Sequence, residues 1–395
     1  MAWKDVSVMS QRAEFVVLAS VDGANVSELC RRFGVSRKTG YKWLSRYATD
    51  GTAGLVDQSR RPLEPAGRTS AEIEQRVLAL RREHPAWGGR KLRRRLQDLQ
   101  HAEVPVASTI TEILRRHGQL NERDGAGKPN VQRFEHAAPN DLWQMDFKGH
   151  FPLTRGGRCH PLTVLDDHSR YSLGLRACDN ERTETVQCEL VEIFRRQGLP
   201  RRMLMDNGSP WGDAGDQPWT RLTAWLLRLG ISVSHGRPYH PQTQGKDERF
   251  HRTLAAEVLR DRSFTDLVET QQAFDPWRQV YNTQRPHDAL SLEVPASRYR
   301  VSERAFPETL PPIEYAPDVQ VRRASTRGVI KFASRSIRIS LAFASEPIGV
   351  RATPTPDVYE VFYAQQSLGQ FDLSQTVHDN RDTLTIRRVP RVHHE

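Results

Sequence analysis

The chain has 395 residues, with 58 Lys and Arg against 48 Asp and Glu, for a formal net charge of +10. It is too long for one ordinary compact domain, and 27% charged with 37% hydrophobic residues is a globular balance. No apolar run approaches the ~20 residues a bilayer crossing needs, and MAWKDVSVMSQRAEF shows no signal peptide.

A pI near 9.7 suits a polyanion partner, because lysines and arginines that neutralise phosphates release condensed counterions. Residues 1–130 hold 23 Lys and Arg against 15 Asp and Glu, so most of the positive excess lies in the N-terminal third. The four cysteines, Cys30, Cys159, Cys178 and Cys188, include no CxxC pair, which argues against a zinc module or a disulfide framework.

Residues 1–52 read as three short helices in a helix-turn-helix pattern. Ser27 is a candidate cap for the second helix and Ser36 for the third. The third helix opens on Arg37, Lys38 and Thr39, with Lys42 one turn on, positions that would enter a major groove. Phe33, Val35, Trp43 and Leu44 are expected in the small core. Residues 53–68 (DQSRRPLEPAGR within them) are rich in Pro, Gly and Arg and read as a linker.

Residues 69–120 form a second helical unit. TSAE has the form of a capping box, and PAWGG is a turn. The basic helix RKLRRRLQDLQ places Arg90, Lys91, Arg93, Arg94 and Arg95 around a leucine stripe, so that one face packs and the rest can meet phosphates. Ser108 is a candidate cap and Gly118 a stop for the next helix. A solvated charged face is the alternative. Residues 121–138 read as another linker.

From 139 to 300 the pattern changes to strands and then to alternating helices and strands, which implies an α/β domain: a mixed sheet with helices on it. Here three acids stand in unlike settings: Asp146 in a strand, Asp206 at a strand end, and Glu248 near the start of a helix over about 246–260. Several hard, ionised oxygen ligands suit a two-metal phosphoryl-transfer site. Asp166 and Asp167 read as a strand-end turn, Asp213 and Asp216 as loop acids, and Asp247 as pointing away from Glu248 on its helix. Trp143 and Trp211 read as packing residues, and His240 as a structural loop residue. Lys246, Arg249 and Arg252 are candidates for phosphate contact.

The ordered motifs PNDLWQMDF, LTVLDDHSRY, MDNGSPW, HPQTQGKDERFHRTL and YNTQRPHDAL resemble the integrase catalytic core of bacterial insertion-sequence DDE transposases. That core is RNase H-like and shared with retroviral integrases. The resemblance implies that Asp146, Asp206 and Glu248 form the catalytic, metal-binding trio, holding two magnesium ions for which manganese can substitute. It also implies a transposase that binds the ends of a mobile element, cuts them with activated water and joins the 3′-hydroxyl ends to target DNA. Many relatives carry a basic residue seven positions after the glutamate; here that position is Ala255.

Residues 301–320 contain several prolines and read as a linker. Short β-type runs within 321–380 suggest a small β-barrel, with Arg322, Arg323, Lys331, Arg335 and Arg338 available to DNA, and 381–395 reads as a basic tail. The expected partners are double-stranded DNA and further copies of the chain in a dimer or larger assembly, with an ATPase helper left open. The expected location is the bacterial cytoplasm, at the nucleoid. A catalytically impaired DNA-binding regulator and an RNase H-like nuclease are the competing readings.

Overall fold

The computed structural model describes residues 8–57, 69–101, 103–120, 135–212, 219–236, 245–375 and 383–387. Two compact units make up the chain, Met1–Ser70 and Ala71–Glu395.

In the first unit, α1 (Val8–Ala19), α2 (Val26–Arg32) and α3 (Arg37–Asp50) close around Phe15, Val16, Cys30, Trp43 and Leu55, with Phe33, Val35 and Leu44 packed against that core. Gly40 is needed for this packing, since a Cβ there would lie 2.5 Å from the Cys30 sulfur and 2.9 Å from the Phe15 ring. Ser36 caps α3 as its type suggests, accepting from the Thr39 amide at 3.2 Å. The cap of α2 is Asn25, two residues before the expected Ser27, and its carboxamide oxygen accepts from the Glu28 amide.

The second unit opens with α4 (Ala71–Glu83), α5 (Gly89–Asp98) and α6 (Ala107–Arg116), packed on Val77, Trp87, Leu92, Ile110 and Leu114. Gly118, at φ +65°, ends α6 as expected. Ser108 is not its cap: the helix begins one residue earlier, and Val106 at the cap position offers no side-chain acceptor.

The central sheet comprises β1 (Trp143–Phe147), β2 (Phe151–Pro152), β3 (Arg158–Asp166), β4 (Ser172–Cys178), β5 (Arg202–Met205) and β6 (Ser232–His235). Its spine runs β3-β1-β5-β6, with β4 and the short β2 also on β3; β1, β3 and β4 are antiparallel neighbours, whereas β1, β5 and β6 are parallel. The helices α7 (Thr183–Gln197), α8 (Arg221–Arg228), α9 (Gly245–Leu254) and α10 (Leu267–Thr283) complete this part. Nearly unbroken burial along β3 and β4 gives the continuous apolar runs of a covered sheet, with Leu162, Val164, Leu190, Ile193 and Phe194 in its core. This is the expected mixed α/β core.

The expected C-terminal barrel is instead two open sheets among the described residues. Strands β7 (Gln320–Arg323), β10 (Pro347–Ala352), β11 (Val358–Tyr363) and β12 (Gln366–Asp372) form one, ordered β12-β11-β10-β7; β8 (Val329–Phe332), β9 (Arg335–Arg338) and β13 (Thr383–Thr385) form the other, ordered β13-β9-β8. Closure fails where β7 turns into β8 without pairing to it. Gly328 holds that turn at φ +66°, where a Cβ would come 2.0 Å from the Ser340 carbonyl oxygen. Among the described residues, an isolated bridge, Gln370 to Arg387, links the two sheets. β13 lies within the stretch read as tail.

The segment 301–320, read as a linker, is bound along the central sheet's helices. The Arg304 carbonyl accepts from the Leu199 amide at 2.7 Å, the Arg304 guanidinium donates to the Leu229 and Gly230 carbonyls, and Phe306 packs near Phe194. Among the described residues, no helix is long and apolar enough to cross a membrane.

Candidate active site

Strand register brings the first two acids together. In the parallel pair β1 and β5, Gln144 stands opposite Leu204, so two residues on, Asp146 at the end of β1 reaches the level of Asp206 just past β5. Asp206 is held by the Gly208 amide, which donates to its carboxylate at 3.0 Å, and by the His235 ring on its carbonyl. Burial, then the Asp206 charge, pushes the Asp146 carboxyl up to about 7. Burial also raises Asp206. Glu181, just before α7, adds negative potential at both acids and was not singled out by the sequence.

Helix α9 carries Asp247, Glu248 and His251 to the same neighbourhood. Glu248 is exposed and adds to the field at Asp146, whereas Asp247 is buried at 1% exposure with no hydrogen-bond partner on either carboxylate oxygen. Asp247 thus turns inward while Glu248 faces outward, and burial, then the Asp146 charge, raises the Asp247 carboxyl. Among the described residues no three His, Cys, Asp or Glu side chains gather closely enough to ligate one ion. The donor set nevertheless suits a divalent cation: hard carboxylates raised by burial and mutual repulsion, beside an orphaned buried carboxylate, lack only positive charge.

His251 lies at 14% side-chain exposure, its Nδ1 3.9 Å from an Asp146 carboxylate oxygen and its Nε2 2.8 Å from the Thr163 hydroxyl. Thr163, on β3, donates that hydroxyl to the Asp146 carbonyl at 2.9 Å. Burial, then Lys148, lowers the imidazole to about 4. Spacing of three from Glu248 on one helix was the only sequence signal for it.

The acids of the DDHSR turn hold the frame, as a strand-end turn should. Asp166 accepts from the Asn140 amide and from both the amide and hydroxyl of Ser169. Asp167 accepts from Gln144 at 2.7 Å and the His136 amide at 2.9 Å, and it also pairs with Lys246 at the start of α9. Lys246, a candidate phosphate contact, is therefore engaged within the chain. Trp143 and Trp211 are buried packing residues, Trp211 stacking near Phe147.

The YNTQRPH segment is an internal clamp. Asn282 bridges the Ser172 amide and carbonyl, and Arg285 donates to Glu257 at 3.0 Å. Glu257 belongs to a π-helical turn, Ala255–Leu259, that extends α9. Ala255 begins that turn, so the helical phase changes at the seventh position after Glu248.

The remaining DNA candidates divide by position. Arg37, Lys38 and Lys42 are exposed on α3, with Thr39 half-buried and sharing a hydrogen bond with Ser36. Arg249 and Arg252 are exposed on α9. On α5, Arg90 pairs with Asp288, Arg94 with Asp98, and Arg95 donates to Gln284; Arg93 is half-buried. Lys91 is pushed down to about 7 by burial and then by Arg285. Much of this basic face therefore meets α10 and the residues after it. Asp213, Asp216 and His240 lie outside the described residues.

Residues 136–241 and 229–295 match two Integrase core domain families. Residues 11–62 match a Helix-turn-helix domain and 39–114 a Homeodomain-like domain. An uncharacterised 39.2 kDa protein of insertion element IS476 from Xanthomonas euvesicatoria is 28% identical over 295 residues, 71% of this chain and 81% of its own length. A 31.7 kDa protein of insertion element IS407 from Burkholderia multivorans is 29% identical over 191 residues, 48% of this chain and 64% of its own. A simian T-cell lymphotropic virus intasome structure shares 14% identity at a TM-score of 0.36, covering 74% of this chain and 97% of that one.

Proposed function

Because the chain belongs to the bacterial insertion-sequence DDE transposases, enzymes with an integrase catalytic core, we propose that it binds the ends of a mobile DNA element. It cuts them with water and joins the freed 3′-hydroxyl ends to target DNA. The observation that carries this reading is the register that sets Asp146 beside Asp206, both raised by burial, with Glu248 on the adjoining helix. Asp146, Asp206 and Glu248 would hold magnesium, or manganese in its place, and two such ions supply activation of the attacking oxygen and stabilisation of the leaving one. The chain's own part is to fix the two aspartates on adjacent strands. Two ends must meet for joining, so the working species is a dimer or larger assembly on DNA.

The test is strand transfer by purified protein on the element's own flanking DNA with magnesium. Asp206→Asn and Glu248→Gln should each lose joining by about 100-fold or more, whereas Asp247→Asn should stay near wild type. Full joining by Glu248→Gln with none by Asp247→Asn would move the third ligand one residue upstream. Cutting without joining by the wild type would favour a nuclease.

The exposed start of α3 is the proposed groove-reading element, with Arg37, Lys38 and Lys42 as its cations. Replacing Arg37 and Lys38 together with Ala should weaken binding to end DNA and flatten the salt dependence, the log–log slope falling by about 0.9 for each phosphate left unneutralised. Filter binding across a salt series measures this, and an unchanged slope would remove both residues from the interface.

A further inference from the structure

The hydrogen-bond chain at His251 fixes its tautomer. Thr163 commits its one hydroxyl proton to the Asp146 carbonyl, so at Nε2 the imidazole must be the donor. When the ring carries that one proton, Nδ1 presents a lone pair, and the atom lies 3.9 Å from an Asp146 carboxylate oxygen. Two acceptors face each other with a gap between them. An oxygen about 2.8 Å from each atom spans such a gap, and an O–H there has an acceptor waiting. The other groups at this place are Asp146 on β1, Lys148 just past the end of that strand, and Thr163 on β3; Lys148 acts on the ring by charge.

We propose that His251 Nδ1 accepts a hydrogen bond from the O–H of the nucleophile, water in end cutting and the 3′-hydroxyl in joining, and so holds that oxygen in place beside Asp146 ahead of the reaction. The role rests on the transposase reading above. It adds to the carboxylate trio a neutral acceptor held from outside by Thr163, whose hydroxyl ties the ring to the backbone of the very residue that positions the reacting oxygen. Thr163 is a positioning residue in this scheme. The proton-bearing nitrogen faces away from the reaction, so the ring cannot offer a competing donor to the nucleophile.

Two substitutions separate the ring's two nitrogens. In His251→Gln the terminal amide can reach Thr163 as Nε2 does, but nothing accepts at the Nδ1 position; in His251→Asn the carboxamide oxygen occupies the Nδ1 position and the side chain no longer reaches Thr163. His251→Gln should lower kcat for joining about 100-fold, with KM for end DNA, melting temperature and the magnesium-induced melting shift unchanged. His251→Asn should recover most of the rate. Nitrogen-15 NMR of labelled histidine, with the His251 signal identified by its absence in the Gln variant, should show the proton on Nε2 in the wild type.

A proton on Nδ1, or a His251→Gln protein as active as wild type, overturns the proposal. So does a tenfold loss of magnesium affinity in that variant, which would make His251 a metal ligand instead. Equal losses in the Gln and Asn variants would reduce the residue to packing. A wild-type protein that joins no ends overturns the transposase reading itself, and is distinguished from the other outcomes because wild-type joining is measured first.

Discussion

The Asp146→Asn protein is expected to be inert in strand transfer and yet, without divalent ions, to melt higher than wild type at pH 8. Asp146 is raised to about 7 from an ordinary 3.8, by burial first and the Asp206 charge second. A carboxyl raised in this way binds its proton more tightly in the folded chain than in the unfolded one. Between about pH 4 and pH 7 the folded state therefore holds more protons, and stability falls as pH rises through that window. Above it the folded chain carries a buried, repelled charge that the unfolded chain carries freely. With the side chain 25% exposed, the difference is about 2–4 kcal/mol at pH 8. Asparagine removes that charge, so the variant should gain at pH 8 and match wild type near pH 4. Magnesium should raise the wild-type melting temperature at pH 8 and leave the variant nearly unmoved. Melting curves at pH 4.5 and 8, with and without magnesium, decide it: a variant less stable than wild type at pH 8 would mean that Asp146 is not a strained ligand.

The same residues show what a sequence discloses about such a site. Asp146 and Asp206 were singled out by the motifs around them, one in a strand and one at a strand end, and the parallel register of β1 with β5 sets those two positions on adjacent strands. Helix α7 runs over Thr183–Gln197, as its apolar periodicity implies. What escaped depended on partners distant in the chain. His251 draws its meaning from Thr163, 88 residues away, and a histidine in a charged helix advertises neither tautomer nor neighbour. The basic face of α5 was read by charge as a surface for phosphates; what lies opposite much of it is Gln284, Arg285 and Asp288, which no local pattern could place. Ser27 was the expected cap of α2; Asn25 caps it instead, because its backbone is extended at the helix entry. The C-terminal runs gave strands but not their closure, because pairing order is a long-range property.

Arg285→Ala should produce the largest loss of stability away from the carboxylates. Arg285 and Glu257 are 8% and 9% exposed, and Glu257 has one further partner of note, the Trp277 indole, which donates to its second oxygen at 2.9 Å. Removing the guanidinium leaves a buried carboxylate with one neutral hydrogen-bond donor and the Lys91 charge nearby, and breaking such a buried pair costs about 3 kcal/mol or more. Replacing both residues by methionine should recover most of that, because the cost lies in the unpaired charge and not in the absence of the pair. The consequence for activity follows from where Glu257 sits. Its π-helical turn continues the helix that bears Glu248 and His251, so releasing it from α10 frees the end of the element that must present both. Arg285→Ala should therefore lose joining more steeply than the end binding proposed for α3. Denaturant melts and parallel binding and joining assays check both parts, and a cost below about 1 kcal/mol would mean that the pair behaves as a surface contact and that YNTQRPH does not clamp the catalytic helix.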